Sequence, residues 1–194
     1  MYQVIGPKNT RAFRVLWMLE ELGLDYRHLD AAPRSEALRA HNPTGKAPVL
    51  LVDGEAIIDS TAIITFLADK HGALTYPAGT LERARQDALT HFVLDEMDAV
   101  LWTAARHSFI LPEEKRVPAV KDSLKWEFER SQKVLLERMG DGPFLTGEKI
   151  TVPDIIAAHC VPWAMVSKFP LLDAFKAYGK RLSSRPAYER AASR

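Results

Sequence analysis

Hydrophobic positions fall in short blocks over the first third of the chain and recur with helical spacing over the rest. Tyr2 to Ile5 predicts a first strand, broken by Gly6-Pro7-Lys8-Asn9. After Thr10, the residues Ala12, Val15, Leu16, Leu19 and Leu22 share one helix face, and Gly23 stands where a helix stop belongs. Tyr26 to Leu29 predicts a second strand, and Ser35 to His41 a short helix after Pro33. Ala47 to Val52 predicts a third strand, apolar enough to be buried on both faces. Asp53-Gly54 is a hairpin turn signal because both residues tolerate positive φ, and Glu55 to Ile58 is the returning strand. Ile63, Ile64 and Leu67 then line a helix reaching His71.

The pattern reads β-α-β-α-β-β-α over residues 1–72. Glycine, proline and small residues over 73–80 predict a linker. Strands then disappear, and residues 81–194 are expected to form an all-helical domain. Leu81 to Phe109 predicts one long helix with a stripe of Leu81, Ala84, Ala88, Phe92, Ala99 and Trp102. Glu113 to Met139 predicts another, regular from about Pro118. Thr151-Val152-Pro153-Asp154 marks a helix start, with an N-cap threonine, proline in the first turn and an acid at N3. Pro162 is expected to kink or end that helix.

Composition narrows the class. Of the 194 residues 47% are hydrophobic and 26% charged, with a formal net charge of +1, so no charge excess points to nucleic acid or an acidic membrane surface. No apolar run reaches bilayer length, and the N-terminal residues lack a signal-peptide core, so a cytoplasmic location is expected. Cys160 is the only cysteine, which excludes an internal disulfide and a Cys-x-x-Cys centre; beside His159 it reads as a small buried hydrophobe. The six histidines show no metal-ligand spacing, and no metal is expected.

Chemistry concentrates in Asn42 to Thr61. Asn42-Pro43, followed by Lys46-Ala47-Pro48-Val49, resembles the loop and strand start of the soluble glutathione S-transferase family, with Pro48 at the place of its cis-proline. Asp59-Ser60 resembles that family's acid–serine pair at a helix start. Phe144-Leu145-Thr146-Gly147 with Thr151 and Asp154 is similar to the helix cap of its second domain. The resemblance covers most of the first 72 residues and, in the helical half, this cap. It implies an α/β thioredoxin-like N-terminal domain followed by an all-α C-terminal helical bundle, usually in a homodimer. It also implies glutathione as substrate, conjugated to a hydrophobic electrophile, as in detoxification. A scaffold holding glutathione or a hydrophobic ligand without turnover, and a glutathione-dependent isomerase or ether-cleaving enzyme, fit the same first domain.

On that reading a cis bond before Pro48 turns the backbone of Val49 outward as an unpaired strand edge for the ligand's cysteinyl part. Asp59 pairs with the ammonium, and Ser60 at a helix N-terminus takes a carboxylate. Lys46 meets the other carboxylate, and Arg11 adds positive potential. Asp59 and Ser60 also read as a plain N-cap, and Lys46 as a solvated surface lysine. A thiol of pKa ~8.5 is only about 3% ionised at pH 7, so catalysis needs a group that stabilises thiolate. The family places it in the turn after the first strand. There Thr10 has the only hydroxyl, and Asn9 stands near the family's catalytic position; Thr10 is equally read as an N-cap. Trp102, His107 and Phe109 are candidates for the electrophile's pocket, with core packing as the competing reading.

Overall fold

The computed structural model describes all 194 residues. Its contacts divide the chain into two units, residues 1–78 with 183–194, and residues 79–182. No helix is long and apolar enough to cross a membrane.

The first unit has the expected element order: β1 (Tyr2–Ile5), α1 (Ala12–Glu21), β2 (Tyr26–Leu29), α2 (Glu36–Arg39), β3 (Val49–Val52), β4 (Glu55–Ile58) and α3 (Ser60–His71). The sheet runs β2-β1-β3-β4, with β1 parallel to β2 and antiparallel to β3, and β3 antiparallel to β4. Inner position explains why Val49 and Leu50 of β3 are fully buried. The Asp53-Gly54 turn takes positive φ at both residues, as its sequence requires. Together these make a thioredoxin-like α/β unit.

The end of the chain departs from expectation. Residues 183–194, expected with the helical domain, pack in the first unit, where α9 (Pro186–Ser193) lies along α1. Covered on a second side, α1 is buried at every position from Ala12 to Glu20, not only on its predicted face. Charges enclosed this way need partners. Arg190 and Arg194 pair with Glu20, Tyr26 donates to Glu20 at 2.9 Å, and Arg185 grips Glu21. Tyr188 stacks edge-on against Phe13 and Trp17.

The second unit holds α4 (Leu81–Val93), α5 (Ala99–Ala105), α6 (Val120–Met139), α7 (Val152–Val166) and α8 (Asp173–Ser183). The long helix expected over 81–109 is interrupted by two π turns, Leu94–Asp98 and Arg106–Ile110. Each closes an i→i+5 bond, Ala99 N to Leu94 O and Leu111 N to Arg106 O, so the regular 3.6-residue register does not run through them. The predicted stripe fails before the first of these turns: Leu81, Ala84 and Ala88 of α4 are exposed, as is Ala99, Phe92 and Trp102 are half-buried, and Leu89, Val93, Met97, Leu101 and Ala104 are buried. Pro162 does not end α7, which continues to Val166. Val161 and Ala164 on either side are buried, Val161 against Gly179, and this packing holds the helix past the missing amide.

Thr151 and Asp154 are structural. Asp154 is fully buried and its carboxylate accepts from Thr151 N and Leu145 N at 2.8 Å, and from Tyr178 Oη at 2.8 Å. Burial pushes this carboxyl up, against the pull of those bonds. One side chain thus ties the α7 cap to the loop before it and to α8.

Candidate active site

Sheet register gathers the predicted ligand residues. Ile5, the last residue of β1, faces Val49, the first of β3, and Val49 faces Ile58, the last of β4. The turn after β1, the loop into β3 and the start of α3 therefore emerge at one end of the sheet. The first two touch. A Cβ on Gly6, whose φ is +136°, would lie 2.7 Å from Ala47 Cβ and 3.2 Å from Ala12 Cβ. Only glycine fits there. His28 Nε2 donates to the Gly6 carbonyl at 2.8 Å, tying β2 to the same turn.

In this turn Thr10 Oγ1 donates to Pro7 O at 2.7 Å and accepts from Ala12 N at 3.2 Å. The hydroxyl bridges the Pro7 carbonyl and the first amide of α1, and its proton is engaged with the backbone. Asn9 is exposed, and Arg11 is half-buried at the helix start. Lys8 donates to Ala192 O at 3.1 Å at the end of α9.

Across from the turn, the Ala47-Pro48 bond is cis, as the resemblance implies. Val49 does not present an unpaired edge. It is fully buried and in register with a partner strand on both sides, because β3 is an inner strand. Pro48 precedes that ladder and has no N–H, so the nearest amide outside it belongs to Ala47, two residues before Val49. Lys46 is exposed on a loop braced by Asn42, which is 5% exposed. Asn42 Nδ2 donates to Lys46 O at 2.9 Å, and Asn42 Oδ1 accepts from Thr44 N and Oγ1 at 3.1 and 2.8 Å.

Asp59 caps α3, its Oδ1 accepting from Thr61 N at 2.9 Å and Ala62 N at 3.0 Å. Its φ of +71° is uncommon for a non-glycine residue. The side chain is exposed, and capping uses one carboxylate oxygen of two. Ser60 is 3% exposed, and its Oγ accepts from Arg14 Nη1 at 3.4 Å. Arg14, fully buried on α1, is the residue that the periodicity reading missed. Its signal was a single charge within the apolar run Ala12 to Leu19.

The electrophile candidates lie in the second unit. Trp102 is half-buried in α5, and His107 and Phe109 sit in the second π turn. Phe109 is 66% exposed and so is not core. His107 Nδ1 accepts from Val117 N at 3.0 Å.

The model for the glutathione S-transferase N-terminal domain matches residues 10–70, and that for the C-terminal domain matches residues 97–186. The chain belongs to the glutathione S-transferase family. Within this family it is similar to glutathione transferase GST 23 of Zea mays, 28% identical over 81% of this chain and 69% of that protein. It is similar to elongation factor 1-gamma of Trypanosoma cruzi, 25% identical over 84% of this chain, which spans only 40% of that relative's length. Disulfide-bond oxidoreductase YfcG of Escherichia coli is 29% identical over 96% of this chain and 92% of its own. A glutathione transferase of Phanerochaete chrysosporium, solved in complex with oxidized glutathione, superposes with a TM-score of 0.82 at 25% identity, covering 99% of this chain and 94% of that one. Transferase, oxidoreductase and elongation-factor names thus all occur among relatives of this fold.

Proposed function

We propose that this chain binds glutathione at the end of the sheet shared by Gly6–Arg11, Lys46–Pro48 and Asp59-Ser60, and transfers its thiolate to a hydrophobic electrophile. The observation that carries the reading is the convergence of those three segments, with the cis Ala47-Pro48 bond beside the α1 turn. A short extended peptide pairs with backbone at a strand end, so the cysteinyl part is assigned to Ala47 rather than Val49. The free Asp59 oxygen takes the glutamyl ammonium. Ser60 and the first amides of α3 take the glutamyl carboxylate, where the helix dipole favours negative charge. Lys46 takes the glycyl carboxylate as a point charge, and Arg11 raises the local potential. Thr10 or Asn9 steadies the thiolate, a stabilisation of about 2.7 kcal/mol for a pKa lowered by ~2 units. Trp102, His107 and Phe109 are the electrophile contacts of this proposal, and a homodimer in the cytoplasm is its assembly and place.

Retention on immobilised glutathione, followed by conjugation of a generic aryl halide, tests it. Retention with turnover is expected. No retention would sink the glutathione site. Retention without turnover would favour a second reading, a binding protein of the same fold. That reading draws on the Thr10 proton being held by Pro7 O.

A further inference from the structure

The last helix ends against the turn that the proposed chemistry uses. Arg185 at the start of α9 holds Glu21 at the end of α1, while Ala192 at the end of α9 meets Lys8 just before α1, so the two helices run antiparallel. The final carbonyls of a helix have no partner inside it and carry the negative end of its dipole. The half-buried Lys8 supplies that partner: its ammonium donates to Ala192 O at 3.1 Å and to Arg194 O. An ammonium has three donors, so one residue can hold both carbonyls. Along its length α9 is fixed to α1 by Tyr188, edge-on against Phe13 and Trp17, and by Arg190 and Arg194 on Glu20. It therefore offers the turn a rigid anchor. Backbone bonds fasten the turn on either side of Lys8, Gly6 N donating to Leu29 O at 3.0 Å and Thr10 N to Pro7 O at 3.1 Å. Between them Asn9 is exposed, and its neighbour Lys8 is held from outside the turn by α9.

We propose that Lys8 is a positioning residue for thiolate formation: by clasping the end of α9 it fixes the Lys8-Asn9 part of the turn, and so makes the ionisation of bound glutathione depend on how α9 is seated. The proposal rests on the glutathione reading above and commits it to Asn9 as the donor that Lys8 places. The ammonium is taken up by the α9 carbonyls, so Lys8 touches no ligand atom and acts through the backbone of the turn. Loosening the end of α9 lowers the fraction of thiolate while leaving in place every group assigned to the ligand's ammonium and carboxylates.

The test reads the pKa of bound glutathione thiol from thiolate ultraviolet absorbance, and glutathione affinity from calorimetry, in the full chain. The proteins are wild type, Lys8→Met, Ala192→Pro and the Lys8→Met/Ala192→Pro double variant. Lys8→Met removes the ammonium. Ala192→Pro, at an exposed position, breaks the last turn of α9 and leaves the Lys8 charge in place. Each is expected to raise the thiol pKa by about half a unit, roughly threefold less thiolate below the midpoint, with affinity little changed. The double variant is expected to be no worse than either single one, because both remove the same contact. A rise for Lys8→Met but not for Ala192→Pro would mean that the charge acts directly on the ligand, and overturns the positioning role. Additive rises, or no rise in variants that still bind glutathione, also overturn it while leaving the glutathione site standing. Failure of wild type to bind glutathione overturns both. If Ala192→Pro does not fold, Lys8→Met in an Asn9→Ala background decides: no further rise is expected, and an added rise overturns the proposal.

Discussion

Arg185 holds both carboxylate oxygens of Glu21, Nε to Oε1 at 2.6 Å and Nη2 to Oε2 at 2.7 Å, so the start of the last helix is fastened to the end of the first. The Glu21 side chain is only 7% exposed and also accepts from Trp17 Nε1 at 2.9 Å. A paired geometry of this kind is the strong form of an ion pair, while the 31% exposure of Arg185 tempers it. Arg185→Ala is expected to lower stability by about 1–3 kcal/mol, read as a shift in the urea midpoint. In an Glu21→Gln background the same substitution should cost much less. An unchanged midpoint would mean that Tyr188 packing and the Arg190 and Arg194 pairs with Glu20 hold α9 without this bond.

Glu20 sets a pH dependence. Burial pushes its carboxyl up, but bonds from Arg190 and Tyr26 and the charges of Arg194 and Arg190 outweigh burial and leave it below the usual value. A carboxyl lowered on folding contributes stability that is full above its unfolded value, about 4.3, and is lost as pH falls through the folded value. Unfolding free energy should therefore drop on acidification below the ordinary carboxylate range. Glu20→Gln should flatten that part of the profile. At the alkaline end, the Tyr26 phenol is pushed up to about 12 by burial and by Glu20, and Tyr26→Phe should remove a late-ionising phenolate from the absorbance titration.

Gly6→Ala tests the approach of the α1 turn to the loop before Pro48. The new methyl would meet Ala47 Cβ at 2.7 Å on a backbone of φ +136°. Overpacking alone predicts a loss of about 1–3 kcal/mol, and displacement of the turn should weaken glutathione binding as well. Denaturation together with titration separates the two effects. Lost stability with intact affinity would show that the turn and the Pro48 loop bind independently.

Thr10 and Asn9 can be told apart because only one of them is structural. Thr10→Ala removes the hydroxyl that bridges Pro7 O and Ala12 N and should cost about 1 kcal/mol whatever its role in chemistry. Asn9 is exposed, so Asn9→Ala should change stability by less than about 0.5 kcal/mol. The ionisation of bound thiol, followed by thiolate ultraviolet absorbance against pH, then assigns the donor. A rise in pKa for Asn9→Ala alone would remove Thr10 from the mechanism.

Local rules written in the sequence determined the first unit's strands and helices, the Asp53-Gly54 hairpin, the caps at Asp59 and Thr151, and the family to which the chain resembles and belongs. These depend on neighbours a few residues apart, which periodicity and turn chemistry report directly. The tertiary structure alone decided that α9 returns to cover α1, that Glu20, Glu21 and Arg14 are enclosed, and that Val49 is an inner position rather than an edge. The partners Arg185 of Glu21 and Arg190 of Glu20 lie 164 and 170 residues away, and no local pattern encodes such a distance. Which face of α4 is buried was likewise decided by packing against α7 and not by the spacing that proposed Leu81, Ala84 and Ala88, and the π turns interrupt the one long helix that the sequence predicts. Sequence thus supplied the pieces of the site, and the fold supplied their neighbours.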